Sequence, residues 1–162
     1  MKHHDSTGHI PDRADEFSAA FCLATLYCHR ARTPFSCIYA GSLVIEELRR
    51  SDEYGQTLTL ACAVMPDRAF WLFRWNRSSG LRSAVCQAKG RSALAVARAR
   101  CRPSRLWEPA HRIRLISDTV SLLAARRFVT LLPVRKKLVA RPEDYPLAWA
   151  AVPPDGAAGR VH

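Results

Sequence analysis

This chain has four tyrosines, six histidines and six cysteines to carry nucleophilic or metal chemistry, and their spacing argues against most of it. Cys22, Cys28, Cys37, Cys62, Cys86 and Cys101 form no Cys-x-x-Cys pair and match no Cys/His spacing. A zinc site needs ligands at short spacings, so these read as reduced thiols without a role. His3 and His4 fall in a polar start expected to fray, and His29 and His111 are isolated. Tyr27, Tyr39, Tyr54 and Tyr145 stand in blocks without metal ligands. The most informative stretch is Met65-Pro66-Asp67-Arg68-Ala69-Phe70-Trp71-Leu72. Period two of a strand puts Arg68, Phe70 and Leu72 on one face. An arginine is a permanent cation with no lone pair for a metal, and phenylalanine has no donor atom. Arg68 suits a phosphate better than an ion.

Charge points the same way. Residues 74–137 hold sixteen lysines and arginines against Glu108 and Asp118, while residues 1–73 carry seven bases and nine acids. A one-sided positive field attracts polyanions, and nucleic acid is the partner it suggests. An arginine-rich solvated surface in an alanine-rich chain is the plainer alternative. The 162 residues suffice for one domain. No apolar run reaches 18 residues, which predicts no membrane span, and residues 1–15 have no apolar stretch like a signal peptide's. A cytoplasmic protein is expected.

The elements that must position these residues follow from period and punctuation. Residues 17–27 read as a first strand. Ser42 is placed as the cap of a helix running to about Arg50, with Gly55 a left-handed terminator beyond it. Thr57 to Val64 alternates, with Leu58, Leu60, Cys62 and Val64 on one face. Met65-Pro66-Asp67 turns the chain into a strand from Arg68 to Trp75. Trp71, Phe73 and Trp75 could stack bases, but large aromatics are mostly core. Leu81 to about Arg100 is an alanine-rich helix expected to bend near Gly90. Arg105 to Ile116 is a strand at an edge or bulge, because Pro109 donates no ladder bond. Ser117-Asp118 caps a last helix, with Val120, Leu123, Ala124, Phe128 and Leu131 on one face, ending near Leu132 before Pro133. The order suggests an α+β, ferredoxin-like split β-α-β sandwich, a four-stranded antiparallel sheet with helices on one face and a C-terminal helix. Residues 1–16 and 151–162 are expected to be flexible flanks of a single domain, 17–150.

Four blocks carry a resemblance. Met65–Leu72 resembles the Met-Pro-Asp/Asn-His-x-His-x-Leu signature of the REP-associated tyrosine transposases, single-tyrosine enzymes of the HUH class. Lys89-Gly90-Arg91-Ser92-Ala93, Leu106-Trp107-Glu108-Pro109, and the stretch from Phe128 to Val139 followed by Arg141-Pro142-Glu143-Asp144-Tyr145-Pro146 resemble three further family segments, in order. The resemblance implies single-stranded or hairpin DNA as partner, and DNA strand cleavage through two metal-binding histidines, a helix tyrosine and a polar residue one turn on. It places those four roles at Arg68, Phe70, Phe128 and Leu132, none of which can perform them. The family's divalent metal, such as magnesium, is therefore expected to be absent, with no other cofactor, and cleavage to be lost. Phosphate contacts are expected from Arg68, Arg82, Lys89, Arg91, Arg98, Arg112, Arg114, Arg127, Arg135 and Lys136. A decayed copy, or a protein-interaction module that kept the fold, are the alternatives. Monomer and dimer both remain open.

Overall fold

The computed structural model describes residues 21–77, 80–101, 103 and 105–152. Its elements are β1 (Phe21–Cys28), α1 (Ile38–Glu53), β2 (Thr57–Met65), β3 (Arg68–Trp75), α2 (Leu81–Ala99), β4 (Trp107–Ile116), α3 (Thr119–Arg135) and β5 (Ala148–Ala150). The strands form one sheet in the order β4-β1-β3-β2-β5, and every pairing is antiparallel. This is the expected α+β class with one strand more. β5 is too short to announce itself by alternation; it exists because its backbone finds the free edge of β2, Cys62 opposite Trp149.

The sheet is covered on both faces, not on one. Cys22, Ala24, Leu26, Val64, Trp71 and Phe73 point to the layer made by α1 and α2. Leu23, Ala61, Ala63, Leu72 and Ile116 point to α3, which supplies Ala125 and Val129. Two-sided burial of β1 and β3 explains their continuous apolar runs.

Several boundaries differ from expectation. The α1 helix starts at Ile38, so Ser42 lies inside it, its hydroxyl donating to the Tyr39 carbonyl at 2.7 Å. Gly55 does take the left-handed backbone, φ +70°. The alternation of β2 breaks at a register shift between Thr59 and Ala61. The extra residue reverses the parity, so Thr59 faces Trp71, whose indole N–H donates to its hydroxyl at 3.0 Å, and Leu58 is exposed. α2 runs unbroken through Gly90. Pro109 lies at the sheet edge where the β1–β4 register shifts, as its missing donor requires. In α3 the buried stripe is Ala125, Val129, Leu132 and Pro133, and Val120 and Leu123 are exposed. The sheet, not the helix's apolar content, chose the stripe. Asp118 caps α3 by accepting from the Ser121 N–H at 2.7 Å. The helix continues through Pro133 to Arg135, because a proline in the last turn forfeits only one bond. It closes on Lys137 at φ +58°, with the Leu138 N–H reaching the Pro133 carbonyl and the Lys137 N–H the Val134 carbonyl. That paired arrangement is a Schellman end built on a lysine.

Candidate functional site

The turn Pro66-Asp67 and the end of α3 bring the four singled-out positions together. Arg68, Phe70, Phe128 and Leu132 line one cleft of about 540 Å3, with Met65, Pro66, Asp67, Lys136 and Leu138. Phe70 stands on β3 opposite Ala63 and Thr25, on the α3 face of the sheet. Phe128 descends from α3 and meets it edge to face, centroids 5.4 Å apart at 81°. Leu132 is buried one turn further along α3. Sequence spacing alone had placed these pairs on faces; the sheet–helix packing makes them one site.

Arg68 is held in place. Its Nε donates to Asp67 Oδ1 at 3.2 Å and its Nη2 to Oδ2 at 3.1 Å. Its guanidinium also lies 5.4 Å from the ring centroid of Tyr27, the residue paired to it on β1. The hydrogen bonds it donates to Asp67 raise the pKa of the arginine above its ordinary value, so it stays charged. Among the described residues Asp67 is the one carboxylate that lines the cleft, and its oxygens accept from Arg68. The four positions to which the resemblance assigns metal ligands and nucleophile do not fit a metal: a guanidinium cation, two phenyl rings and an isobutyl group supply no ligand. Among the described residues no cluster of three or more His, Cys, Asp or Glu side chains could hold an ion.

The ten basic residues do not form one surface; the sheet divides them. Arg112 pairs with Thr25 and Arg114 with Leu23, so both project on the α3 face, and Arg112 shares a rung with Thr25 and Phe70. Two strand spacings separate that arginine from Phe70, about 10 Å. Arg112 and Arg114 are exposed, and α3 packs on β2 and β3 at the other side of that face. Lys136 lines the cleft, while Arg127 and Arg135 are exposed on α3.

Arg82, Lys89, Arg91 and Arg98 belong to α2, on the opposite face. Arg82 and Arg98 are exposed there. Lys89 is only 8% exposed, and its ammonium donates to the Glu108 carbonyl at 2.8 Å and the Pro109 carbonyl at 3.1 Å, beside His111 Nδ1 at 3.3 Å. Burial lowers its pKa, and lowers that of His111 too. Arg91 bonds Ser51 Oγ at 2.6 Å, lies 3.5 Å from the Glu47 carboxylate and covers the Tyr54 ring. Both are spent inside the fold: the bulge around Pro109 frees carbonyls that Lys89 satisfies, and Arg91 ties α2 to α1. Ser92 completes this block by accepting the Trp107 indole N–H at 3.0 Å. The Lys89–Ala93 and Leu106–Pro109 segments, separate in sequence, thus recognise each other.

Sequence reading missed Tyr27 beneath Arg68 and Leu138 at the cleft wall; no spacing signal marks either, because both depend on tertiary register. Tyr145 is structural, its hydroxyl donating to the Val64 carbonyl at 2.5 Å. No helix among the described residues is long and apolar enough to cross a membrane.

No protein-family model matches the chain. No curated protein matches it either. Among solved structures, one of a REP-associated tyrosine transposase bound to a REP hairpin is similar, with TM-score 0.66 at 15% identity, over 92% of this chain and 96% of that one. A candidate transposase from Deinococcus radiodurans R1 is similar with TM-score 0.50 at 17% identity, over 66% of this chain and 87% of that one. At such identities the likeness is one of architecture. The chain has the fold of a REP-associated tyrosine transposase, as the blocks at Met65–Leu72 and Phe128–Val139 anticipated.

Proposed function

We propose that this protein binds single-stranded or hairpin DNA in the cytoplasm and does not cleave it. The observation that carries the reading is the cleft: the positions that would hold two histidines, a tyrosine and a polar ligand converge in space, yet present Arg68, Phe70, Phe128 and Leu132. The site lacks both the Lewis acid's ligands and the attacking oxygen, which are the two components such chemistry needs. What it retains is positive charge. Arg68 and Lys136 at the cleft, with Arg112 and Arg114 on the open side of the same face and Arg127 and Arg135 on α3, form the phosphate-binding surface. Arg68 keeps Nη1 outside its pair with Asp67, so it can donate to a phosphate while that pair aims it. The solved relative with its REP hairpin supports the choice of DNA. Lys89 and Arg91 support the surface indirectly, by holding α2 to β4 and α1.

The test is one hairpin oligonucleotide in two assays. A gel shift is expected to show binding that magnesium and chelator leave unchanged, and that falls with salt by a log–log slope of roughly −0.7 per phosphate contact on single strands. A denaturing gel of labelled DNA is expected to show no covalent adduct. An adduct would overturn the loss of cleavage, and salt-insensitive or absent binding would overturn the DNA reading.

A further inference from the structure

We infer that the cleft is a receptor for one unpaired nucleobase with its phosphate, a stacking pocket standing where an ion would have been coordinated. The inference rests on the DNA-binding reading and names what this site itself takes.

Its walls decide the chemistry. Met65, Pro66, Phe70, Phe128, Leu132 and Leu138 are apolar, and the charges in the lining are those of Asp67, Arg68 and Lys136, a net single positive. A free phosphate gains nothing from six apolar walls, and a purely apolar ligand gains nothing from a surplus cation. A nucleotide uses both: its planar base excludes water from the phenyl rings, and its phosphate meets Lys136 and the unused donors of Arg68. The volume, about 540 Å3, lies within the range of about 300–1,000 Å3 typical of small-ligand clefts. Phe70 and Phe128 are each only half-buried, so both rings keep surface toward the cleft.

The Asp67–Arg68 pair adds a polar edge. It sets a carboxylate, with lone pairs beyond those that Arg68 takes, beside a guanidinium donor in the lining, the two group types that meet a base's hydrogen-bonding rim. The rung running from Arg112 through Thr25 to Phe70 gives the approach. The backbone of Arg112 stands two strand spacings, about 10 Å, from that of Phe70, near enough for a strand held there to turn one nucleotide inward. The phosphate is met by Arg68 and Lys136 and not through an ion, so occupancy is expected to be independent of divalent ions.

The experiment uses the full chain and a hairpin oligonucleotide with an unpaired flank, in which each flank position is made abasic in turn. At one position, base removal is expected to weaken wild-type binding about tenfold, the scale of one base stacked on an aromatic ring. With Phe128→Leu, which keeps an apolar side chain but removes the ring, removal at that same position is expected to cost nearly nothing further. Independently of any variant, 5-iodouracil placed there is expected to photo-crosslink to the peptide containing Phe70 or Phe128. Steep salt-dependent binding with no sensitive position, or crosslinks only elsewhere, overturns the pocket and leaves the DNA reading intact. Absent binding overturns both.

Discussion

Phe70 and Phe128 meet edge to face between β3 and α3, ring centroids 5.4 Å apart, and both rings line the same cleft. Phe128→Tyr returns a hydroxyl to that cleft but no lone pair to hold a metal. No covalent DNA adduct is expected from it, with or without magnesium, on a denaturing gel. Arg68→His and Phe70→His together add two imidazoles at i, i+2, and manganese binding by calorimetry is expected only when both are present.

The proposed phosphate surface is testable by contrast between the two sheet faces. Arg112→Ala and Arg114→Ala are each expected to flatten the salt dependence of single-strand binding by about 0.7 in slope while leaving Tm unchanged. Lys89→Ala is expected to do the reverse. It strips the Glu108 and Pro109 carbonyls of their donor, at about 1–3 kcal/mol, so Tm falls and the salt slope stays.

Lys137 ends α3 with a left-handed backbone that its side chain disfavours. Lys137→Gly removes a conformational cost of about 1 kcal/mol. The expected rise in Tm is about 2–4 °C for a chain of this size, measured by calorimetry. An unchanged Tm would show that glycine's greater freedom when unfolded cancels the gain.

Gly41 sits where α1 passes the segment leading into β5. A Cβ there would stand 2.5 Å from Leu147 Cδ1 and 2.9 Å from Cδ2, so the Leu147 side chain, itself only 2% exposed, would have to shift within the core. Gly41→Ala is expected to destabilise by about 1–3 kcal/mol in urea titration. Since the Val64 N–H bonds the Leu147 carbonyl at 2.8 Å, the loss should be accompanied by faster amide exchange at Val64.

The thiols divide by environment. Burial raises Cys22 to about 11 and Cys28 and Cys62 to about 12, so all three are neutral and covered at pH 7. Cys37 is exposed at the start of α1, and the Ala40 N–H, then Tyr39 and the Arg100 charge, draw its pKa below the ordinary thiol value. Its thiolate fraction therefore begins to rise at lower pH. Alkylation followed by mass spectrometry is expected to label Cys37 fastest and Cys86 and Cys101 next, with Cys22, Cys28 and Cys62 protected until unfolding.

Local chemistry was legible in the residues themselves. Alternation and turn chemistry located β3, the Asp118 cap, the left-handed Gly55 and the edge position of Pro109, because each depends on neighbours a few bonds away. So did the absence of ligands at Arg68, Phe70, Phe128 and Leu132, which is a property of side-chain atoms. Packing decided the rest. Whether Lys89 meets solvent or two carbonyls depends on a bulge nineteen residues away, and no spacing encodes that. The register of β1 against β3 and β4 put Arg112 on the same rung as Phe70, and the packing of α2 put Arg82 on the other side of the sheet. A segment's charge adds up along the chain, but the field a partner feels adds up through space, and only the fold converts one into the other.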